Sequence, residues 1–207
     1  MIELVAFDLW DTLIFLEEGW RTFTQLKSFI RKDSTFWREK VKPFYLFKNQ
    51  ESSETFLEDI RANLGIDLTS KARDMQTRLA RDLRDTRIYS DVISTLDKLK
   101  RGGKKLTVVS NQCSFFIPSF YALRLNRYFN YVLFSCELGY GKPDNRIYRE
   151  LLRLSEVKPS EILFVGDNKY QDCDKPLELG FRAVHLDRKG LSGGSIQNLM
   201  ELEGIIQ

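Results

Sequence analysis

Side chains that can take part in phosphoryl transfer stand at or just beyond the ends of several short apolar segments. In chain order they are Asp8 with Asp11, Ser110, Lys142, and Asp167 with Asp172. Any one acid in such a position can equally well cap the helix that follows it. Together the set offers carboxylates for nucleophilic attack and proton transfer, and a hydroxyl and an ammonium group that can donate to phosphate oxygens.

The first two aspartates can supply a nucleophile and a proton shuttle. Asp8 needs no deprotonation at neutral pH, and its attack on phosphorus would give an aspartyl-phosphate. Asp11 follows on a predicted tight turn, from which it can protonate the leaving oxygen and later activate water. Asp8, Asp11 and Asp167 would crowd negative charge around a phosphate, so a cation is required. Mg²⁺, a hard ion with oxygen ligands, is the natural choice.

Three further residues could hold phosphate oxygens. Ser110 offers a hydroxyl and Asn111 a backbone N–H, although a plain turn after a strand explains both residues equally well. Lys142 precedes Pro143 at a predicted helix start, where its charge can pair with the phosphate and with Asp8. A lone surface lysine is the alternative, and the neighbouring glycines favour an ordered loop.

Five short, mostly apolar segments are predicted to position these side chains. They are Leu4–Asp8, Leu106–Ser110, Tyr131–Ser135, Ile162–Gly166 and Ala183–Leu186. Continuous apolar runs of this length are typical of parallel strands that are covered on both faces. The carboxyl ends of such strands form the edge at which open α/β sheets bind ligands.

Helical patterns separate these strands. Ser90 is the predicted N-cap of a helix that ends at Gly102–Gly103. Pro143 is the predicted first residue of a second helix, and a third is predicted from about Gln171 to Leu179. The alternation predicts an α/β fold with a doubly wound, Rossmann-like parallel sheet of about five strands.

The stretch from Phe15 to Arg87 interrupts this alternation with helical signals and no convincing strand. Its apolar residues at helical spacing are Trp20, Phe23, Leu26 and Ile30; then Leu57, Ile60 and Leu64 before Gly65; then Ala72, Met75, Leu79 and Leu83 after a candidate cap at Thr69. We therefore predict a helical cap subdomain over residues 15–88, inserted into a core domain of residues 1–14 and 89–207.

Charge and composition exclude several classes of protein. The 207-residue chain has a net charge of only +3, which is weak for a nucleic-acid binder. Residues 15–50 carry eight basic and four acidic side chains, which either attract an anionic substrate or form a solvated helix face. No apolar run approaches the roughly 18 residues that span a bilayer.

Cysteine and histidine usage narrows the chemistry further. The three cysteines, Cys113, Cys136 and Cys173, form no CxxC pair, so we expect them to be buried in a reducing cytosol. His185 is the only histidine and lies in a strand pattern, so it is predicted to be structural and histidine-based triads are excluded.

Four ordered segments resemble the motifs of the haloacid dehalogenase superfamily. They are FDLWDT, VSN, GKPDNRIY and VGDNKYQD. The most diagnostic features are the two aspartates before Thr12 and the GDxxxxD pattern of Asp167 and Asp172. The resemblance covers residues 1–14 and about 89–190. The insert resembles the helical cap of that superfamily without indicating a subfamily.

The resemblance implies a magnesium site. By that resemblance, Asp8 and Asp167 ligate Mg²⁺ through their side chains and Asp11 through its backbone carbonyl. Asp172 completes the predicted metal site, either as a direct ligand or by holding a water or orienting Lys142. The predicted catalytic residues are therefore Asp8, Asp11, Ser110 and Lys142, with Asn111 joining them in substrate binding.

We therefore expect a cytoplasmic, Mg²⁺-dependent phosphatase that hydrolyses a small phosphorylated metabolite under a closing cap, with no membrane or nucleic-acid partner. A 2-haloacid dehalogenase is the closest alternative, but the dehalogenases resembled here lack the second aspartate. A phosphomutase and a non-catalytic binding module also stay open. The sequence indicates neither the substrate nor the oligomeric state.

Overall fold

A parallel sheet with its first strand at the centre organises the protein. The computed structural model describes residues 1–19 and 21–206, so Trp20 of the predicted cap pattern lies outside the described residues. The strands are β1 Leu4–Phe7, β2 Ile14–Leu16, β3 Thr86–Ile88, β4 Lys105–Ser110, β5 Tyr131–Phe134, β6 Ile162–Gly166 and β7 Arg182–His185. Five of them form the sheet in the order β5-β4-β1-β6-β7, and each neighbouring pair is parallel.

Helices cover both faces of this sheet. The α-helices are α1 Arg21–Ile30, α2 Ser34–Phe36, α3 Lys42–Leu46, α4 Ser53–Leu64, α5 Ala72–Arg84, α6 Val92–Arg101, α7 Ile117–Ala122, α8 Ser135–Leu138, α9 Asn145–Ser155, α10 Lys175–Glu178 and α11 Glu203–Ile206. Turns of 3₁₀ helix occupy Thr69–Lys71, Ser114–Phe116, Leu125–Tyr128, Pro159–Glu161 and Leu199–Leu202, and π-helical turns occupy Trp37–Val41 and Lys169–Asp174. The predicted α/β, doubly wound architecture is confirmed.

The two faces of β1 enter two different hydrophobic cores. Val5 and Phe7 pack in the core that contains α6 and the helices of the insert. Leu4 and Ala6 point the other way, into a core built with α9. Because successive side chains of a strand alternate between faces, a continuously apolar strand fits only a sheet that is covered twice.

Two helix starts differ from the prediction. Asp91, rather than Ser90, is the residue before α6, and its carboxylate accepts from Arg188 and from the backbone N–H of Leu199. Pro143 is not a helical residue: the side chain of Asp144 accepts from the N–H of Arg146, which starts α9 at Asn145. Only at α9 does a carboxylate cap the helix, because the Asp91 side chain bonds Arg188 and Leu199 and caps no N–H of α6.

The inserted segment is helical, as predicted, and α4 ends at the left-handed Gly65. Thr69 does not cap α5, because Thr69 donates to the carboxylate of Asp67 and opens a 3₁₀ turn before the helix. The expectation that this stretch contains no strand is wrong at its ends. There β2 and β3 form an antiparallel ribbon in which Ile14 pairs with Ile88. The boundaries of the cap at residues 15 and 88 stay a prediction.

Among the described helices, none has both the length and the apolar composition needed to cross a bilayer.

Candidate functional site

The carboxyl edge of the sheet brings the predicted residues together. Phe7 is in register with Val108 of β4 and with Val165 of β6. Asp8, which follows β1, therefore lies between Ser110 at the end of β4 and Asp167 just after β6. The backbone N–H of Asp8 donates to the Val165 carbonyl at 2.9 Å, which fixes this aspartate against β6.

Lys142 lies buried between two carboxylates of the site. Its Nζ donates to Oδ1 of Asp8 at 2.7 Å and to Oδ1 of Asp172 at 2.6 Å. The second oxygen of Asp172 accepts from the backbone N–H of Asn168 at 3.1 Å. Charge-assisted bonds of this kind hold all three side chains in one arrangement. Asp172 is thus an ion-pair partner of Lys142, and its part in the metal site stays a prediction.

Three carboxylates form a cluster with the donor set of a divalent cation. One oxygen each from Asp8, Asp167 and Asp172 lies within 4.8 Å of the other two. Lys142 supplies one positive charge against these three negative charges. A hard divalent ion with oxygen ligands fits both the donor atoms and the remaining negative charge. The carboxylate of Asp11 lies outside this cluster, which leaves only its backbone for the predicted metal contact.

Burial and mutual repulsion change the acidity of the cluster. Desolvation, followed by the charge of Asp8, raises the pKa of Asp167 to about 7. Burial also raises the pKa of Asp172, although the ammonium of Lys142 opposes this shift. Burial lowers the pKa of Lys142, but the charges of Asp172 and Asp8 outweigh it and the net pKa is raised. A cation beside Asp167 would offset the repulsion from Asp8, which is the second cause of this raised pKa after desolvation.

Asp11 stands on the tight turn that the sequence predicts. Its φ of 58° is left-handed, and its backbone N–H donates to the Ile14 carbonyl at 2.7 Å. Besides glycine, aspartate and asparagine are the residues that adopt this conformation most readily. Desolvation by the surrounding protein and the charge of Asp8 raise the pKa of the exposed Asp11 carboxyl, while Lys189 and Arg188 oppose the rise.

Trp10 occupies the position between the two aspartates of the first motif. Its indole N–H donates to Oε1 of Gln112 at 2.8 Å, and its ring packs edge-on against Phe116. Trp10 is therefore a buried packing residue, and Asp11 is the carboxyl group that the turn carries beside Asp8.

Two glycines allow the loops of the site to approach closely. A Cβ on Gly166 would lie 2.3 Å from Oδ2 of Asp172, and a Cβ on Gly141 would lie 2.2 Å from Oδ1 of Asn111. The Asn111 side chain donates to the Lys142 carbonyl at 2.7 Å, so it fastens the lysine loop to the end of β4. Ser110 is buried at that same strand end.

The family model of haloacid dehalogenase-like hydrolases matches residues 2–174. This match covers most of the chain and includes every residue of the carboxylate cluster. The chain belongs to the haloacid dehalogenase-like hydrolases.

Relatives among these hydrolases include both phosphatases and dehalogenases. The chain is 32% identical over 123 residues to a phosphoserine phosphatase of Thermus thermophilus, which covers 57% of this chain and 48% of that protein. It is 29% identical over 205 residues to an (S)-2-haloacid dehalogenase of Pseudomonas sp., which covers 91% of this chain and 84% of that protein. The match to a phosphoglycolate phosphatase of Pseudomonas aeruginosa covers 31% of that protein. The chain therefore spans about half or less of the length of each of these two phosphatases.

Solved structures of haloacid dehalogenase-like hydrolases share the fold. A HAD phosphatase from Thermococcus onnurineus aligns with a TM-score of 0.69 at 22% identity and covers 99% of this chain and 98% of its own. A 2-haloacid dehalogenase from Pseudomonas syringae aligns with a TM-score of 0.67 at 24% identity and covers 100% and 98%. At these identities the likeness establishes the fold alone.

The sequence predicts no role in the site for two residues that the structure places beside it. His185 is buried in β7, as predicted for a structural residue, and its Nε2 donates to the Asp167 carbonyl at 2.9 Å. Arg188 follows the same strand and donates to the Thr12 carbonyl, next to Asp11. Neither residue belongs to a spacing pattern, so only the folded chain reveals these contacts.

Proposed function

We propose that the protein is a Mg²⁺-dependent phosphatase that hydrolyses small phosphorylated metabolites through an aspartyl-phosphate. The observation that carries this proposal is the cluster of Asp8, Asp167 and Asp172 around the single ammonium of Lys142. Three buried or half-buried carboxylates beside one ammonium group leave an excess of negative charge. Displacement of a halide uses no metal ion and so does not require this excess. A phosphate ester bound with a divalent cation needs such a donor set.

Asp8 is the proposed nucleophile. Its carboxylate stands at the centre of the sheet edge, and the Nζ of Lys142 donates to one of its oxygens at 2.7 Å. That bond fixes the orientation of the carboxylate, and its other oxygen is the one we assign to attack on phosphorus. The new Asp8–phosphate bond forms as the ester oxygen leaves, and hydrolysis of that bond by water then regenerates the carboxylate.

Asp11 is the proposed general acid and base. Desolvation and the charge of the neighbouring Asp8 raise its pKa, and a carboxyl group beside the bound ester can pass a proton to the leaving oxygen. It would give its proton to the leaving ester oxygen and take one from the water that attacks the aspartyl-phosphate. The exposed left-handed turn gives its side chain access to a bound substrate.

The carboxylates of Asp8 and Asp167 would hold Mg²⁺, with the backbone carbonyl of Asp11 and with Asp172 behind them. When bound, the ion would neutralise charge on the phosphoryl oxygens. Lys142, the Ser110 hydroxyl and the Asn111 backbone N–H would bind those oxygens as well. The inserted helices α1 to α5 would cover the substrate and exclude water, which favours small substrates over folded phosphoproteins.

We infer a cytoplasmic site of action from the three free, buried cysteines.

A 2-haloacid dehalogenase is the second candidate. The observation that favours it is the match to the Pseudomonas dehalogenase, which extends over 91% of this chain. Halide leaves without protonation and without a metal, so this function would leave Asp11 and Asp167 without a catalytic role.

Release of inorganic phosphate and of chloride from the same enzyme preparation separates the two candidates. The substrates are an aryl phosphate, a panel of phosphorylated metabolites, and (S)-2-chloropropionate, each with Mg²⁺ and with excess chelator. Phosphate release that the chelator abolishes is the expected result. Chloride release that persists in chelator would instead establish the dehalogenase, and transfer of phosphate within a substrate would establish a mutase.

A further inference from the structure

We propose that Arg188 is a positioning residue for Asp11, through hydrogen bonds to the backbone carbonyl that follows this aspartate. The inference rests on the proposed function, because it assigns Asp11 the proton transfer. Arg188 lies in the segment after β7, outside every motif described above.

Arg188 donates twice to the Thr12 carbonyl. The distances are 3.2 Å from Nε and 2.6 Å from Nη2. On the other side of Asp11, its own N–H is held by the Ile14 carbonyl at 2.7 Å. The left-handed turn is thus fixed on both sides of Asp11, and Arg188 provides one of the two anchors.

The guanidinium of Arg188 is itself held rigidly. It forms a two-bond ion pair with Asp91, at 3.0 Å and 3.1 Å, and its centre lies 3.8 Å from the ring centroid of Tyr89. The Asp91 and Arg188 side chains are only 10% and 13% exposed, so solvent screens this pair weakly. The planar guanidinium group can donate hydrogen bonds to the Thr12 carbonyl and to the Asp91 carboxylate at the same time. A lysine ammonium cannot reproduce both sets of bonds.

The partners of Arg188 also tie the turn to the rest of the fold. Asp91 accepts from the backbone N–H of Leu199 at 2.7 Å, and the N–H of Tyr89 donates to the Leu13 carbonyl at 3.1 Å. Arg188 therefore joins the Asp11 turn to the chain that leaves β3 and to the C-terminal segment. Loss of its side chain should release the turn while leaving the carboxylate cluster in place.

Leaving-group dependence tests this role, because a general acid matters most when the leaving oxygen is a poor leaving group. We would measure kcat and KM for an alkyl phosphate and for a nitrophenyl phosphate, with Mg²⁺. The proteins are wild type, Arg188→Ala, Arg188→Lys, Asp11→Asn, and Arg182→Ala as the matched control. Arg182 is an exposed arginine on β7.

The expected result for Arg188→Ala is a fall in kcat of at least about tenfold on the alkyl ester and a much smaller fall on the nitrophenyl ester, with KM little changed. Asp11→Asn should likewise lose more activity on the alkyl ester than on the nitrophenyl ester. Arg188→Lys should have a rate on the alkyl ester between those of Arg188→Ala and wild type. Arg182→Ala should match wild type. Added guanidinium at millimolar concentration should restore part of the alkyl phosphate activity of Arg188→Ala.

An equal loss on both esters, or no loss, would overturn the positioning role of Arg188 while leaving the phosphatase in place. If Arg188→Ala does not fold, Arg188→Lys becomes the test. The proposal would then be contradicted if Arg188→Lys, compared with wild type, loses the same fraction of its rate on both esters. Wild-type protein that releases no phosphate from any ester would overturn the proposed function, and this inference with it.

Discussion

The Nζ of Lys142 lies 2.7 Å from Oδ1 of Asp8, and the lysine side chain is 1% exposed. The ammonium that orients the proposed nucleophile is therefore also a buried charge, held only because Asp172 pairs with it as well. Removing one member of such a group leaves the others without compensation in a desolvated site. The same pair thus links the stability of the fold to the chemistry of the site.

Lys142→Met should destabilise the protein by about 3–5 kcal/mol at neutral pH without Mg²⁺, because it leaves two buried carboxylates unpaired. Urea unfolding measures this loss. Lys48→Met removes a lysine from an exposed pair with Asp59 and should cost less than about 1 kcal/mol. If both variants unfold at the same urea concentration, the ion pairs of Lys142 do not stabilise the fold.

Asp11→Asn should slow both formation and hydrolysis of the aspartyl-phosphate by about 10²–10⁴-fold, because one carboxyl serves as acid and then as base. Asparagine adopts the left-handed conformation, so the turn at φ 58° should persist. Rapid-quench measurement of alcohol and phosphate release resolves the two steps. Asp11→Gly, which also accepts this turn, should be equally slow, and wild-type rates in either variant would exclude Asp11 from proton transfer.

Asp167 should make the metal-free protein less stable as the pH rises from about 4 to about 7, because its pKa is raised from 3.8 to about 7 on folding. The folded protein keeps a proton that the unfolded chain has already lost, and this advantage disappears as the pH passes the folded pKa. Unfolding experiments in chelator at several pH values test this. Asp167→Asn should flatten the pH dependence, and a curve parallel to that of wild type would contradict the shift.

Gly166→Ala should weaken Mg²⁺ binding, because its Cβ would lie 2.3 Å from Oδ2 and 2.4 Å from Cγ of Asp172. The carboxylate must move, and Lys142 with it. The measurement is the rise in unfolding temperature on titration with Mg²⁺. Gly204→Ala, which adds a Cβ in open space, is the control and should behave as wild type. An unchanged Mg²⁺ dependence in Gly166→Ala would show that Asp172 does not support the metal site.

The five strands of the sheet are predictable from the sequence to within one residue at each end. Their continuous apolar runs fit only a sheet that is buried on both faces. The β2–β3 ribbon is not predictable in this way. Its three-residue strands are too short for a period, and pairing Ile14 with Ile88 joins segments far apart in the chain.

The site is predictable to a similar extent. Asp8, Ser110 and Asp167 stand at strand ends, and the parallel sheet brings those ends to one edge. The Arg188 contact is different, because its acceptor is a backbone carbonyl and every residue carries one. Contacts between a side chain and the main chain leave no spacing pattern, so the support around Asp11 required the folded structure.

The phosphoryl group on Asp8 is the most direct test of the account. Wild-type enzyme and Asp8→Asn would each be mixed with substrate and Mg²⁺, quenched in acid, reduced with borohydride and mapped by peptide mass spectrometry. The account predicts reduction of residue 8 in the wild type only, together with loss of phosphate release in Asp8→Asn. Phosphate release from Asp8→Asn at the wild-type rate, or trapping at another residue, would contradict it.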